Sequence, residues 1–313
     1  MQRIIGRHTG HERGPLFVVI GATHGNEPAG VRALELMFKM LEVEPITNPG
    51  FQYRGRLLGL IGNVRAYREG LRFLTQDLNR AWTPENLAFA RSLPPAERES
   101  EEREMVELMD ILEKEIAAYS PERVVVLDLH TTSAAGGIFC VVADRKNSLR
   151  LAQEMDVPVI TGLTSGLDGT TVSFFRSKNF GLPVHSVVFE SGSHREPLAV
   201  NRAIAAIASC MRSIGAVDEH DIESTHDQVL RQSTRGLPRL SHLVHTHRIR
   251  PGERFRMRPG YVNFQEVQEG EHLADNENGP ILAVAAGRIL MPLYQRKGSD
   301  GFFLIQDGGE GLL

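Results

Sequence analysis

Short apolar runs alternate with longer amphipathic segments through the first two thirds of the chain. The runs are uninterrupted and rich in branched side chains, which is typical of strands buried on both faces of a sheet. They occupy residues 16–20, 57–61, 124–127 and 187–189. Between them, Pro28 suits a first helical turn, and residues 96–118 place their apolar side chains on one face of a charged helix. This alternation predicts an α/β fold with a mixed, mostly parallel sheet covered by helices.

The pattern changes after a helix-like stretch at residues 198–214. Residues 218–225 are acidic and polar with little apolar periodicity, which predicts a linker. Beyond them, glycine and proline separate short alternating runs, as is typical of small β structures. We therefore predict two domains, an α/β domain over residues 1–217 and a smaller all-β domain over residues 223–313.

His24 and Glu27 stand three residues apart, shortly after the first apolar run. Zinc binds histidine nitrogen and carboxylate oxygen, and a hydrolytic zinc site has three protein ligands and one open position. His130 is the best candidate for the third ligand, because it follows the run 124–127 and ligands bind at the carboxyl ends of parallel strands. Asp128, on the same side of that strand, could accept a hydrogen bond from a ligand imidazole. The alternative for His130 is an ordinary loop histidine after a strand.

Further groups have the chemistry that metal-assisted hydrolysis requires. Glu190 ends the fourth apolar run, where a carboxylate beside a metal could accept a proton from water as a general base. The alternative is a partly exposed glutamate at a strand end. Arg72, Asn79 and Arg80 lie in one loop-like stretch. Arginine binds carboxylates through two parallel hydrogen bonds, so this stretch suits an anionic substrate, and a solvated basic loop is the alternative.

Four motifs follow one another along the chain: Gly21-Ala-Thr-His-Gly-Asn-Glu27, Asp77-Leu-Asn-Arg80, Asp128-Leu-His-Thr-Thr-Ser133 and Phe189-Glu-Ser-Gly192. Across residues 15–195 the chain resembles the succinylglutamate desuccinylase/aspartoacylase family of zinc amidohydrolases, which is related to the zinc carboxypeptidases. The resemblance implies a zinc carboxypeptidase-like fold. It also implies one zinc per chain, held by His24, Glu27 and His130, with Glu190 as the general base.

The resemblance assigns the remaining candidate residues to the substrate. Arg72 would polarise the scissile carbonyl, while Asn79 and Arg80 would hold a substrate carboxylate. Arg176 stands roughly where the family has a second substrate-binding arginine. In aspartoacylase a C-terminal tyrosine closes over the substrate, but no tyrosine stands at the matching place here, and Tyr294 is the candidate to approach from another position. This departure puts N-acetylaspartate specificity in doubt.

The activity predicted from these residues is zinc-dependent hydrolysis of the amide bond of an N-acyl amino acid or a related small molecule. Glu190 would activate the zinc-bound water, and the partner would be a small acylated amine. One alternative is a carboxypeptidase-like peptidase that acts on short peptides. Another is a non-catalytic, zinc-dependent protein that binds a carboxylate ligand.

The composition of the chain argues against nucleic-acid and membrane partners. The net charge of −4 gives no general attraction to nucleic acid or anionic membranes, and no apolar run approaches the roughly 20 residues that span a bilayer. The two cysteines, Cys140 and Cys210, are too few for a disulfide framework and suggest buried thiols in a reducing compartment. We expect a cytoplasmic protein without a membrane or nucleic-acid partner, and the sequence is compatible with a homo-oligomer.

Other segments are weaker candidates for function. His242, His245 and His247 resemble a metal cluster, but on a strand only the last two share a face. The basic stretch 235–258 lacks the interleaved aromatic side chains of a nucleic-acid surface. Residues 162–169 are rich in glycine but lack the lysine of a phosphate loop, so we expect a mobile loop near the site.

Overall fold

The computed structural model describes residues 1–143, 147–165, 167, 169–218 and 225–308. Its strands are β1 (Ile4–Thr9), β2 (Glu12–Gly21), β3 (Arg54–Ile61), β4 (Val124–Thr132), β5 (Phe139–Val142), β6 (Val159–Thr161), β7 (Val184–Ser193), β8 (Leu240–Arg248), β9 (Arg256–Met257), β10 (Glu266–Val267), β11 (His272–Asn276), β12 (Gly279–Leu282), β13 (Gly287–Leu290) and β14 (Asp300–Asp307).

The helices in these ranges are α1 (Ala29–Thr47), α2 (Val64–Glu69), α3 (Pro84–Ser92), α4 (Ser100–Tyr119), α5 (Asn147–Glu154), α6 (Thr171–Phe174), α7 (Leu198–Ser213) and α8 (Thr225–Ser233). Short 3-10 turns form at Leu78–Arg80 and Ser177–Asn179. Within the described part of the chain, no helix has both the length and the apolar character needed to cross a membrane.

Among the described residues, eleven strands form one sheet in the order β1-β3-β2-β4-β7-β5-β6-β8-β14-β13-β10. β3, β2, β4 and β7 are parallel neighbours at its centre. The four apolar runs of the sequence all fall within these strands, so the predicted buried strands are confirmed. Antiparallel pairing begins on both sides, where β1 joins β3 and β5 joins β7. A mixed sheet with a parallel core is therefore confirmed.

Helices cover both faces of this central sheet, because alternate side chains of each strand point to opposite sides. On one face, Phe17 and Val19 of β2 pack in a core with α1 and α7. On the other face, Leu16 and Val18 pack with α3 and α4. The layers bury the apolar runs completely and leave polar side chains only where the strands end. Both cysteines are buried free thiols, as their number suggested.

The segment expected to be all-β begins with a helix, α8, which packs on α7. Its Leu230 is buried in the core that lies under α1 and α7. Residues 225–233 are mostly polar, and helices this short depend on tertiary packing rather than on intrinsic propensity. The sequence pattern therefore did not reveal this helix. The predicted linker at 218–225 falls largely on residues 219–224, which lie outside the described residues, and the domain boundary stays a prediction.

From Leu240 onward the described residues form strands and no helix, in agreement with the predicted all-β character of this part of the chain. β8, β14, β13 and β10 extend the main sheet, and β9, β11 and β12 form a separate three-stranded sheet. β8 is joined to the α/β part through parallel pairing with β6. The C-terminal strands thus continue the sheet that carries the candidate ligands, and the segment between β13 and β14 reaches the same edge.

Candidate metal centre and cavity

Parallel strands bring the predicted polar side chains to one edge of the sheet. His24 and Glu27 lie in the turn between β2 and α1, and His130 lies near the end of β4. Glu190 is the direct neighbour of His130 on β7. The structure therefore brings these side chains together, as the strand-end argument predicted.

The turn that carries His24 and Glu27 requires a glycine between them. A Cβ atom on Gly25 would lie 2.1 Å from the carbonyl carbon of Ala66, so any larger residue would push the turn away from α2. The Gly25 N–H donates to the carbonyl of Arg72 at 3.1 Å. This close approach ties the turn to the loop that carries the candidate substrate-binding residues.

The three predicted ligands converge at the sheet edge. Their ligand atoms all lie within 4.8 Å of one another, and no second group of this kind occurs among the described residues. His24 Nδ1 is 2.8 Å from Glu27 Oε1, and His130 Nδ1 is 3.1 Å from Glu27 Oε2. All three side chains are buried. Both histidines therefore present the same ring nitrogen to one carboxylate.

A second carboxylate contacts the Nε2 atom of each histidine and orients its ring. His130 Nε2 lies 2.8 Å from Asp128 Oδ2, which confirms the partner expected from the sequence. His24 Nε2 lies 3.0 Å from Asp77 Oδ1. A histidine that donates one N–H to a carboxylate offers the lone pair of its other nitrogen to a metal. Asp77 belongs to one of the four motifs, but no sequence pattern indicated that it would contact His24.

Burial and neighbouring charges shift the pKa values of these groups in opposite directions. Burial by itself would raise the pKa of Glu27, but the charges of His24 and His130 hold it well below its usual range. Burial would lower the pKa of His130, yet Asp128 and Glu27 raise it well above its usual value. The same balance lowers the pKa of Asp77, since His24 and Arg72 outweigh its burial. A positive charge between the ligand atoms is therefore strongly favoured.

The donor set fits a zinc ion. Two imidazole nitrogens and one carboxylate oxygen are the ligands of many hydrolytic zinc sites, and the carboxylate behind each imidazole is the usual supporting contact. A carboxylate must be ionised to bind a metal, and the lowered pKa of Glu27 keeps it in that form. Residues 24, 27 and 130 are thus the ones that would hold the zinc ion.

Glu190 is a buried carboxylate beside this centre. Its Oε2 atom has no hydrogen-bond partner among the described residues. Burial raises the pKa of Glu190 to about 8; His130 opposes this rise and Glu27 adds to it. A carboxylate with so high a pKa can hold or release a proton near neutral pH, which is the property of a general base or acid.

A cavity of about 130 Å³ opens over these groups. Its polar lining includes the three candidate ligands, Glu190, Arg72, Asn79, Arg80, Thr131, Thr132, Ser133, Thr164, Thr170, Gln295, Ser299 and Asp300. Its apolar lining consists of Val141, Leu163, Leu167, Val172, Val188, Met291, Leu293 and Phe303. Residues from the C-terminal part of the chain therefore close one side of the cavity.

The structure brings Arg72 and Asn79 to this cavity, as predicted. Arg72 donates from Nη2 to Asp77 Oδ2 at 3.1 Å, and its Nη1 lies 3.7 Å from Glu27 Oε1. Asn79 Oδ1 accepts from the backbone N–H of Thr171 at 2.9 Å. Asp77 thus fixes a guanidinium directly beside the metal ligands, and Asn79 is held with its carbonyl oxygen turned to the protein.

Arg80 also reaches the cavity, but its guanidinium already has protein partners. Nη2 donates to Asp300 Oδ2 at 2.5 Å, and Nη1 donates to the carbonyl of Asn79 at 2.7 Å. Asp300 is the first residue of β14 and lies 220 positions away in sequence. No sequence pattern pointed to this contact.

Two of the predicted residues do not reach the cavity. Arg176 is not among its lining residues, and the following Ser177 bonds to Val184 at the start of β7, the end opposite Glu190. Tyr294 also lies outside, since its hydroxyl donates to the carbonyl of Arg258 and accepts from the N–H of Tyr261. The neighbouring Leu293 and Gln295 line the cavity instead, so no tyrosine closes it within the described residues.

The remaining candidates from the sequence, the histidines at 242–247 and the glycine-rich segment 162–169, have structural roles or line the cavity. His247 stacks on Phe302 and approaches Glu253 at 3.3 Å, so it belongs to the packing of the C-terminal strands. In the glycine-rich segment, Leu163, Thr164 and Leu167 line the cavity, which places it near the site as expected. Residues 166 and 168 lie outside the described part of the chain.

One important residue was missed in the sequence, the fully buried Glu101 of α4. Its carboxylate accepts from the N–H groups of Leu74, Thr75 and Gln76, and also from Asn63 Nδ2 and Thr75 Oγ1. It thereby anchors the loop that presents Arg72, Asp77 and Asn79. A signal existed, because Glu101 shares helical spacing with Met105 and Leu108 on the apolar face.

Comparison with known proteins decides the family. A model of the succinylglutamate desuccinylase/aspartoacylase catalytic domain matches residues 13–213. The chain belongs to this family. The membership confirms the resemblance inferred from the motifs, and it makes the chain a member of a family of deacylases that act on acylated amino acids.

Individual relatives of this desuccinylase/aspartoacylase family member are distant. A probable aspartoacylase from Nostoc is 29% identical over 132 residues, which are 41% of this chain and only 38% of that protein. The solved succinylglutamate desuccinylase of Chromobacterium violaceum superposes with a TM-score of 0.63 at 17% identity, over 99% of this chain and 95% of its own. A Rhodobacter sphaeroides family protein gives 0.62 at 15% identity, over 96% and 87%. These structures support the fold alone.

Replacing Glu101 with Gln should destabilise the protein by about 2 kcal/mol at pH 7, because an amide cannot accept from all these donors and leaves buried N–H groups unpaired. Urea unfolding measures the loss, and the exposed Glu97→Gln is the matched control.

The difference in the free energy of unfolding between Glu101→Gln and the parent protein should also depend on pH. Burial favours a raised pKa for Glu101, but hydrogen bonds from Thr75, Leu74 and Asn63 lower it below its usual value. Such a group stabilises the fold above the unfolded pKa of about 4.3, and this contribution is lost as the pH falls through the lower folded value. A difference that grew toward pH 3 would contradict the assignment.

Proposed function

We propose that this protein hydrolyses the amide bond of an N-acyl amino acid or a related small acylated amine with one zinc ion. The observation that carries the proposal is the convergence of three buried ligand atoms within 4.8 Å in a cavity that also contains Glu190, whose Oε2 atom has no hydrogen-bond partner among the described residues. His24, Glu27 and His130 would hold the zinc. Family membership supports amide hydrolysis as the reaction.

When bound, zinc supplies Lewis acidity, which polarises a carbonyl and lowers the pKa of water toward about 7. Glu190 then has the task of accepting a proton from the attacking water and passing it to the leaving nitrogen. Its raised pKa suits this exchange, since a useful general base titrates near the working pH. Glu190 is the neighbour of His130 on the adjoining strand, which supports this role.

Arg72 is proposed to stabilise the negative charge that develops on the carbonyl oxygen. Asp77 holds its guanidinium at a fixed place beside Glu27, so no reorganisation is needed when the charge appears. Asn79 is proposed to bind the substrate through its amide nitrogen, because Thr171 occupies its carbonyl oxygen. Arg80 lies in the same cavity and contributes to substrate selection.

The peptidase alternative differs from our proposal in the substrate that is cleaved. Residues of the segment 291–300 line the cavity together with the candidate ligands, so the C-terminal part of the chain would contribute to the choice of substrate. A mass-spectrometric screen of the zinc-loaded protein tests this directly. It should contain N-acetyl, N-succinyl and other N-acyl amino acids together with short unblocked peptides. Cleavage of the peptides alone would favour the peptidase alternative over our proposal.

Replacing His130 with Ala should abolish stoichiometric zinc binding, because it removes one of three protein ligands. Metal content after equilibrium dialysis against zinc provides the measurement. His11→Ala, on an exposed turn, is the matched control and should bind one zinc per chain. Full zinc occupancy in the His130→Ala protein would refute the ligand assignment.

Replacing Glu190 with Gln preserves shape but removes the base, so we expect kcat to fall by about 10³-fold while zinc remains bound. The assay uses the best substrate of the screen, and metal content is measured on the same sample. Glu196→Gln, which alters a glutamate paired with Arg202 outside the cavity, should retain activity. An unchanged rate in the zinc-loaded Glu190→Gln protein would show that another group is the base.

A further inference from the structure

A bidentate contact to a substrate carboxylate needs two free N–H donors on one edge of the Arg80 guanidinium, and only its Nε atom lacks a hydrogen-bond partner among the described residues. In this chain, Asp300 contacts Nη2 at 2.5 Å, and the Asn79 carbonyl contacts Nη1 at 2.7 Å. The side chain of Asp300 is 8% exposed, and Ser299 Oγ donates to the same carboxylate oxygen at 3.3 Å. The contact is therefore a supported, largely buried ion pair that neutralises Arg80.

The second guanidinium of the cavity is also paired. Arg72 forms its ion pair with Asp77, and it lies beside Glu27. Among the described residues that line the cavity, Arg72 and Arg80 are the only arginines, and no lysine lines it. Once Arg72 is used for the carbonyl oxygen, no unpaired side-chain cation is left for a further substrate carboxylate.

One group of side chains that line the cavity is apolar. Val141, Val172, Val188 and Phe303 line it and belong to one hydrophobic cluster formed by β5, α6, β7 and β14. Burying a charged group against such a wall is unfavourable, whereas burying an alkyl group gains about 25 cal/mol for each Å² removed from water. The wall thus suits an apolar substituent.

We propose that Asp300 determines specificity by neutralising Arg80, and that the substrate is an N-acyl amine with an apolar group and at most one carboxylate. Dicarboxylates such as N-acylaspartate are then disfavoured, because Asp300 would repel the second carboxylate. This inference rests on the proposed function, since it concerns the substrate of the same cavity. Asp300, in the C-terminal part of the chain, would therefore determine which substrates bind.

Binding to a protein without turnover tests the inference separately from the reaction. The probes are the N-acyl derivatives of leucine, asparagine and aspartate, whose side chains have the same branching and number of heavy atoms. The acyl group is the one preferred in the screen, or acetyl if no turnover occurs. Calorimetry measures the Kd of each probe for zinc-loaded Glu190→Gln, with Asp300 intact or changed to Asn. Asp307→Asn, in an exposed ion pair on the same strand, is the matched control.

With Asp300 intact, the leucine derivative should bind at least about tenfold more tightly than the aspartate derivative, with asparagine between them. Asp300→Asn should tighten binding of the aspartate derivative by about tenfold or more and change leucine binding by less than about threefold. Asp307→Asn should leave the order unchanged. Asp300→Ser, judged by its zinc content and the same ratio, provides a second variant if Asp300→Asn does not fold.

Each other outcome has a defined meaning. Equal or tighter binding of the aspartate derivative with Asp300 intact would overturn the inference. So would an unchanged ratio in both Asp300 variants, or the absence of binding by all three probes. The expected binding order without any hydrolysis by the parent protein would refute the proposed function but support the inferred selectivity.

Discussion

The centre of this structure depends on the pairing of one buried carboxylate with two buried imidazoles. Glu27 lies between two imidazole nitrogens, and a further carboxylate contacts each imidazole from the other side. Without compensating cations, so many buried acids would repel one another and lose their hydration. The two histidines and the neighbouring Arg72 provide that compensation. The surrounding loops and strand ends are arranged to keep these atoms within reach of one another.

Further buried polar contacts connect the candidate ligands to the neighbouring loop and to α4. Asp77 contacts both His24 and Arg72, so it couples the metal centre to the guanidinium that faces the cavity. Glu101 fixes the loop that carries Asp77 through its bonds to Leu74 and Thr75. Each acid is buried and satisfied by several donors, which is the condition under which a buried carboxylate stabilises a structure. The positions of the site residues therefore depend in part on α4, a helix that does not line the cavity.

The sequence predicted the central sheet and the convergence of the candidate ligands because both follow from local rules. Apolar runs identify parallel strands, and residues just after such strands meet at one edge, which located His24, His130 and Glu190. Contacts between distant parts of the chain follow no local rule. The Asp300 contact to Arg80 depends on how the C-terminal strands join the sheet, and the helix at 225–233 depends on the packing of Leu230. The placement of Arg176 away from the cavity has the same cause, because the direction of a loop is set by its tertiary contacts.

The continuous sheet has a consequence for how molecules enter and leave. β8 is hydrogen-bonded to β6, and β14 to β8, so the segment that closes the cavity is attached to the sheet that bears the ligands. Swinging the C-terminal part outward as a rigid body would break these backbone bonds, which is costly. A small molecule would therefore enter or leave the cavity through local movement of the loops at its mouth rather than through the opening of a domain.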